Sequence, residues 1–416
     1  MALAFAEQGA LAAYFTGGVD VFPPGVIRVL RSAARHWAPQ ISRQLERRAV
    51  SGVPPPLVHA RWRWELPRLA ANRLGAPTLE DWCWEHQERD LDRHCARALA
   101  RPGIDAFFGV EHGALAALQA ARRCGKAGVV AFLSPHRRTR MAWVDAEYDK
   151  RPELRTGAHA TIDARSAARD ARRDVEAAMA DWVVTNSSFT TDSLIEAGVP
   201  AAKLITVPLG GPDPVAAGEL PSAVPATLRY LYAGPLSVRK GAHHLLEAWK
   251  HVAGKTHELH FYGQPLLPAA VLDAARRAPG GDRIYFHGSV PSAQLKTAYQ
   301  QASVLVFPTL CDGFGMVVSE AMACGLPVIT TRNAGAKDWI TPGQSGFVIP
   351  PADTDALATA LQWCADHPDD LLAMRRVALD TASRYTWKDF RRSFRDQLND
   401  AFSGARAMTP VATAAR

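Results

Sequence analysis

Short apolar runs alternate with longer amphipathic stretches along most of this 416-residue chain. Apolar runs bounded by turn residues predict buried strands, and apolar positions recurring every three to four residues predict helices. In the first half, strands are predicted at Phe107–Val110, Gly128–Leu133, Trp182–Thr185 and Lys203–Val207. Helices are predicted over Gly113–Cys124, from about Pro152 to Ala180, and over Ser188–Ala197. In the second half the predicted strands are Arg229–Ala233, Glu258–Tyr262, Ile284–His287, Val304–Phe307, Pro327–Thr330 and Phe347–Ile349. Helical stretches such as Ala242–His251 and Ser292–Ala302 separate them, and Trp387–Phe402 reads as a closing helix. Strand–helix alternation at this spacing implies an α/β fold of parallel sheets wound on both faces.

From Pro208 to Ala226 the chain is rich in proline and glycine and follows neither period, which is linker composition. The expected organisation is a Rossmann-like domain over 1–210, a linker over 211–226, a second Rossmann-like domain over 227–385, a closing helix over 386–403 and a loose tail over 404–416. At the start, Ala2–Gln8 reads as a helix and Leu11–Phe15 as a short strand.

Composition adds constraints. The formal net charge is +7, with 48% hydrophobic and 21% charged residues. Such a balance suits acidic ligands or an anionic membrane surface, and equally a solvated Arg-rich protein with no special partner. No basic stripe with interleaved aromatics points to nucleic acid. The six Cys form no C-x-x-C pair and no zinc-finger spacing with His, so reduced thiols and no metal are expected. The apolar start has its first basic residue at Arg28, unlike a secretory signal, and no run reaches the ~20 apolar residues that span a bilayer. The expected location is cytoplasmic, with contact at the inner membrane face at most peripheral.

Ligands of open parallel sheets bind beyond the carboxyl ends of strands. Three turns in the second half meet that rule. Ala233-Gly234-Pro235-Leu236-Ser237-Val238-Arg239-Lys240-Gly241 follows a strand and opens a helix, with two adjacent cations beside free N–H groups. That suits a diphosphate, or else is a solvated basic turn. Asp312-Gly313-Phe314-Gly315 turns into a helix whose first N–H groups, those of Met316 and Val317, face the ligand side. Glu320 lies further along that helix, where a carboxylate accepts from a ribose diol. Ala334-Gly335-Ala336-Lys337-Asp338 reads as a structural turn on the same edge. In the first half, His136 follows the strand GVVAFL and is either a hydrogen-bonding imidazole for a sugar hydroxyl or departing phosphate, or a capped ring. The pair His243-His244 reads as surface or packing.

These pieces, in this order, resemble the family-4 (group 1) glycosyltransferases of the GT-B fold. DGFGMVVSE, from Asp312 to Glu320, is similar to the family's acid-x7-Glu motif, and AMACGLPVITT follows it. GPLSVRKGAHHLLEAW, FHGSVPSAQLKTAYQQASVLVFPTL and NAGAKDWITPGQSGFVIP resemble the family's donor domain, and ADWVVTNSSFTTDSLIEAGVPAAKLITVPLGG the end of its acceptor-side domain. The resemblance implies two Rossmann-like domains facing across a crevice. The implied reaction transfers a sugar from a nucleoside-diphosphate sugar to a sugar or lipid-linked acceptor, with retention of configuration and without a metal or other cofactor. It implies polysaccharide biosynthesis as a setting. Glu320 is implied to hold the ribose and Asp312 to sit by the donor sugar. Lys240, with Arg239 or the N–H groups of Met316 and Val317, is implied to neutralise the diphosphate. Val290 is implied to contact the base and His136 to lie near the donor sugar.

The chain departs from the family pattern in three places. Asp312 stands where Glu is usual, Pro235 stands where Arg is usual, with Arg239 as a substitute cation, and the family's first strand and Gly-rich loop are not seen before Ala2. The last two leave open a catalytically inactive protein that keeps the nucleotide-sugar pocket. A phosphorylase of this fold would need a pyridoxal-phosphate lysine and a longer chain.

Overall fold

A computed structural model describes residues 1–17, 50, 52–61, 63–155, 157–223, 225–252 and 257–408. The chain runs through α1 (Ala2–Ala6), β1 (Tyr14–Thr16), β2 (Val58–Ala60), α2 (Glu65–Arg73), α3 (Pro77–Ala98), β3 (Ala106–Val110), α4 (Leu115–Arg123) and β4 (Ala127–Phe132). It continues through α5 (Arg137–Lys150), α6 (Gly157–Met179), β5 (Trp182–Thr185), α7 (Ser188–Glu196), β6 (Leu204–Thr206), β7 (Arg229–Ala233), α8 (Ala242–Val252) and β8 (Glu258–Tyr262). Then come α9 (Ala269–Arg277), β9 (Ile284–Gly288), α10 (Ser292–Gln301), β10 (Val304–Phe307), α11 (Met316–Ala323), β11 (Val328–Thr331), β12 (Gly346–Ile349), α12 (Thr354–Asp366), α13 (Pro368–Ala382) and α14 (Trp387–Met408). Residues 404–408, expected in the tail, lie in α14, and 409–416 fall outside the described residues.

The chain divides into two compact units, one of Met1–Ala131, Ala168–Val183 and Arg391–Arg416, the other of Phe132–Ala167 and Val184–Phe390. In the first, β1 pairs with β2 and β3 with β4, both in parallel. Phe5, Phe108 and Phe394 form a ring cluster with centroids 5.3–5.7 Å apart. The buried Asp92 carboxylate accepts from the N–H groups of Ala116 and Ala117, both at 2.8 Å. An anion on the first turn of α4 satisfies donors that the helix itself leaves open.

The second unit holds a six-stranded parallel sheet in the order β12-β11-β10-β7-β8-β9. Counted from its own first strand, this is the Rossmann order. Both faces are covered, so side chains of one strand divide by parity. Tyr230 and Tyr232 enter the core under α8 and α12, with Leu245, Trp249 and Leu361. Leu231 and Ala233 enter the core under α11 and α13, with Val318, Met322 and Leu379. Ser187 and Asp353 cap α7 and α12 by accepting from Thr190 N and Ala356 N. The proline-rich stretch is irregular yet tied down: Gly211 N donates to Tyr385 O at 2.8 Å and Val215 N to Ala323 O at 2.9 Å. All six cysteines are free thiols. Among the described residues, no helix is long and apolar enough to cross a membrane.

Candidate functional site

In the six-stranded sheet, β7 lies beside β10, and the connections from these two strands run to opposite sides of the sheet. The loops after them are therefore those of the switch point, where open α/β sheets bind ligands. They are the two loops that carry Gly234 to Gly241 and Asp312 to Gly315. Helix α8 begins at Ala242, so Arg239 and Lys240 sit in the turn before it and not on its first turn.

The two loops are joined along their length. The Arg239 carbonyl accepts from Thr309 Oγ1 at 3.0 Å and Leu310 N at 2.9 Å, and the Arg239 guanidinium donates to Cys311 O at 3.0 Å. Gly241 has φ +69°, and a Cβ there would lie 1.8 Å from Pro308 O, so only glycine lets the loops close this far. Lys240 Nζ forms an ion pair with the Asp312 carboxylate, and their side chains are 13% and 14% exposed. Nζ also lies 5.1 Å over the Phe307 ring. Burial pushes the Lys240 pKa down, against the opposing pull of Asp312.

Asp312 is fixed at both polar atoms of its backbone, and its carboxylate makes one bond besides the Lys240 pair. Its N–H donates to Asn333 O at 2.9 Å, its carbonyl accepts from Gly335 N at 3.0 Å, and Oδ1 accepts from Phe314 N at 3.3 Å. Gly313 has no room for a side chain, since a Cβ would stand 2.1 Å from Leu133 O. Its carbonyl accepts from Ser187 Oγ at 2.6 Å and Thr190 Oγ1 at 3.2 Å. Phe314 is buried edge-on against Trp339, with centroids 5.7 Å apart. Gly315, at φ +92°, precedes α11. Val318 N donates to Gly315 O, while Met316 and Val317, first in the helix, have no acceptor within it. Glu320 is half-buried and accepts from Tyr299 Oη at 3.1 Å. Burial pushes the Glu320 pKa up, against the Tyr299 hydrogen bond.

His136 is buried and caps α5, its Nδ1 accepting from Arg138 N at 3.2 Å while its own N–H donates to Ser193 Oγ at 2.9 Å. A neutral ring accepting at Nδ1 carries its proton on Nε2. Gly313 and the Leu133–Ser134 segment leading to His136 are in contact through the same glycine. Val290 lies two residues past β9, which is the edge strand of the sheet, apart from the group around Lys240. The Gly335 turn is structural in its packing: a Cβ at Gly335 would lie 2.0 Å from Gly313 O, and Asp338 accepts from Ser188 N and Oγ.

Several contributors were not visible in the sequence. Tyr299, Thr309, Ser187 and Thr190 hold site residues by hydrogen bonds between segments distant in sequence, and no local motif marks them. The pair His243-His244 is buried and faces Glu147 of α5. Only the dipeptide itself hinted at this cluster.

The profile described as "Glycosyl transferases group 1" matches residues 227–367. A D-inositol 3-phosphate glycosyltransferase of Corynebacterium kroppenstedtii is 34% identical over 134 residues, which cover 32% of this chain and 30% of that protein. A glycogen synthase of Mycobacterium tuberculosis is 29% identical over 215 residues, 50% of this chain and 51% of that protein. The matched region thus spans about a third to a half of the length of these curated relatives. Among solved structures, Anabaena HepE in complex with UDP superposes with a TM-score of 0.60 at 16% identity, over 93% of this chain and 98% of that one. A sucrose-phosphate synthase of Thermosynechococcus elongatus gives 0.57 at 20% identity, over 77% and 79%. Identities this low speak to the fold alone. Residues 227–367 are thus similar to the group 1 glycosyltransferases, and the fold of the chain is α/β, of the GT-B type.

Proposed function

We propose that the protein transfers a sugar from a nucleoside-diphosphate sugar to a hydroxyl of a sugar or lipid-linked acceptor, with retention and without a catalytic metal. The observation that carries this reading is the meeting of Lys240, Asp312 and the first turn of α11 at the switch point of a Rossmann sheet. The curated relatives named above are a D-inositol 3-phosphate glycosyltransferase and a glycogen synthase, and HepE was solved with UDP and with UDP-glucose. In this reading residues 1–210 serve the acceptor and residues 227–385 the donor. The protein works in the cytoplasm, with peripheral contact at the inner membrane face.

The diphosphate lies against Lys240 and the N–H groups of Met316 and Val317. An ammonium and a helix N-terminus there stabilise the charge that grows on the leaving group, so no bound cation is needed. Lys240 is paired with Asp312, and a diphosphate reaching the same ammonium frees that carboxylate to accept from a donor-sugar hydroxyl. Glu320 accepts from the ribose, Val290 borders the base, and His136 lies near the donor sugar.

The test is release of nucleoside diphosphate from a panel of UDP-, GDP- and ADP-sugars with a panel of hydroxyl acceptors. Transfer should occur with one donor and fall about 100- to 1000-fold in Lys240→Ala, the usual loss when a donor to developing charge is removed. Pro235, in the place of a family arginine, motivates the second reading of an inactive donor-binding protein. Nucleotide binding without turnover on any donor would establish that second reading instead.

A further inference from the structure

Away from the switch-point loops, Glu147 on the last turn of α5 meets His243 and His244 near the start of α8. His243 Nε2 lies 3.1 Å from Glu147 Oε1, and His244 Nε2 lies 3.3 Å from Oε2. All three side chains are more than nine-tenths buried. Two ring nitrogens this near a carboxylate ordinarily mean N–H···O bonds. Here neither Nε2 has a hydrogen-bond partner, and His243 Nδ1 has none either. The nitrogens converge on the carboxylate without aiming an N–H at it. Buried polar atoms are rarely left in that condition unless something further belongs between them.

The donor set has the chemistry of a transition-metal site: two imidazole nitrogens and a carboxylate oxygen. One ligand atom from each residue lies within 4.8 Å of the others. Metal bonds of about 2.0–2.2 Å place tetrahedral ligands about 3.4 Å apart, so a small inward movement closes the set. The outer shell is also in place. His244 Nδ1 lies 2.8 Å from Thr354 Oγ1, a contact that fixes the ring and leaves Nε2 as the ligating atom.

We propose that Glu147, His243 and His244 bind one divalent transition-metal ion of the zinc type, with a water completing the coordination. The ion is structural. It ties α5, which opens at His136, to α8, which follows the Lys240 turn. It takes no part in sugar transfer and stands independently of that activity.

The full chain, stripped with a chelator and dialysed, is titrated with Co2+, whose visible bands report low-coordinate nitrogen and oxygen ligation, and then with Zn2+. One equivalent of Co2+ should bind, be displaced by Zn2+, and raise the melting temperature. Glu147→Gln and His244→Gln should each weaken binding more than about 100-fold, since each removes a direct ligand. His287→Gln, which alters the separate His260–His287 contact at 2.9 Å, and Cys124→Ser, which removes an exposed thiol, should leave it unchanged. Folding of each variant is checked by circular dichroism, and two ligand variants guard against one that fails to fold. No stoichiometric Co2+ binding, or binding retained in both ligand variants, overturns the proposal.

Discussion

Replacing Lys240 by Met removes the ammonium and keeps most of the apolar stem that lies over Phe307. Asp312 then keeps Phe314 N–H at 3.3 Å as its side-chain partner, at a position only 14% exposed. Breaking a fully buried ion pair costs about 3–5 kcal/mol because one charge is left uncompensated. Partial solvent access lowers the expectation here to about 2 kcal/mol. For a domain of about 150–250 residues that is a fall of about 4–8 °C in melting temperature. Adding Asp312→Asn removes the stranded charge, so the double variant should regain most of the loss. Nucleotide affinity should behave differently. A hydrogen bond to a charged group contributes about 1.5–3 kcal/mol, so the cognate nucleoside diphosphate should bind about 10- to 150-fold more weakly to Lys240→Met. The double variant should stay as weak. Differential scanning calorimetry and isothermal titration in one buffer measure both quantities. Wild-type affinity in Lys240→Met would refute the diphosphate role, and a double variant no more stable than Lys240→Met would refute the stranded-charge reasoning.

Gly313→Ala puts a methyl group 2.1 Å from the Leu133 carbonyl, a backbone atom with no rotamer to yield, and should cost about 1–3 kcal/mol in urea unfolding and reduce transfer. Tyr299→Phe removes the hydroxyl that donates to Glu320 and should lose about 1 kcal/mol of stability while weakening nucleotide binding by less than Lys240→Met does. Glu320 has its pKa raised by burial, so between the unfolded value of about 4.3 and the native one the folded chain holds more protons than the unfolded chain. Stability therefore falls as pH rises through that window, and Glu320→Gln should remove this fall. Melting curves from pH 4 to 7 should show the variant gaining on wild type as pH rises.

The strands of the second unit were legible in the sequence almost to the residue. Arg229–Ala233, Glu258–Tyr262 and Val304–Phe307 are short apolar runs between turns, and burial on both sheet faces demands that composition. Their order was not legible. That β7 neighbours β10 depends on where the crossover helices return each strand, and this decides which two of several glycine turns share the switch point. Helix α3 is not legible in the sequence because its buried face carries Gln87 and Asp92 beside Cys83 and Ala98, so apolar periodicity is weak. His243 and His244 looked like any polar pair on a helix. Their burial follows from Glu147 on α5, far away in sequence, and a helical period cannot register such a partner. The acid at 312 and Glu320 stood out because their spacing around two glycines is local to one turn and helix.

In the proposed mechanism the loops after β7 and β10 bind a nucleoside diphosphate, with Glu320 on its ribose. Thermal unfolding with UDP, GDP, ADP and CDP, in wild type and in Glu320→Ala, tests it most directly. At about 100 times its dissociation constant, the cognate nucleotide should stabilise the wild type by about 2.7 kcal/mol, a shift of several degrees. One nucleotide should give this shift, and most of it should be lost in Glu320→Ala. No shift with any of the four, or an equal shift in the variant, would contradict this mechanism.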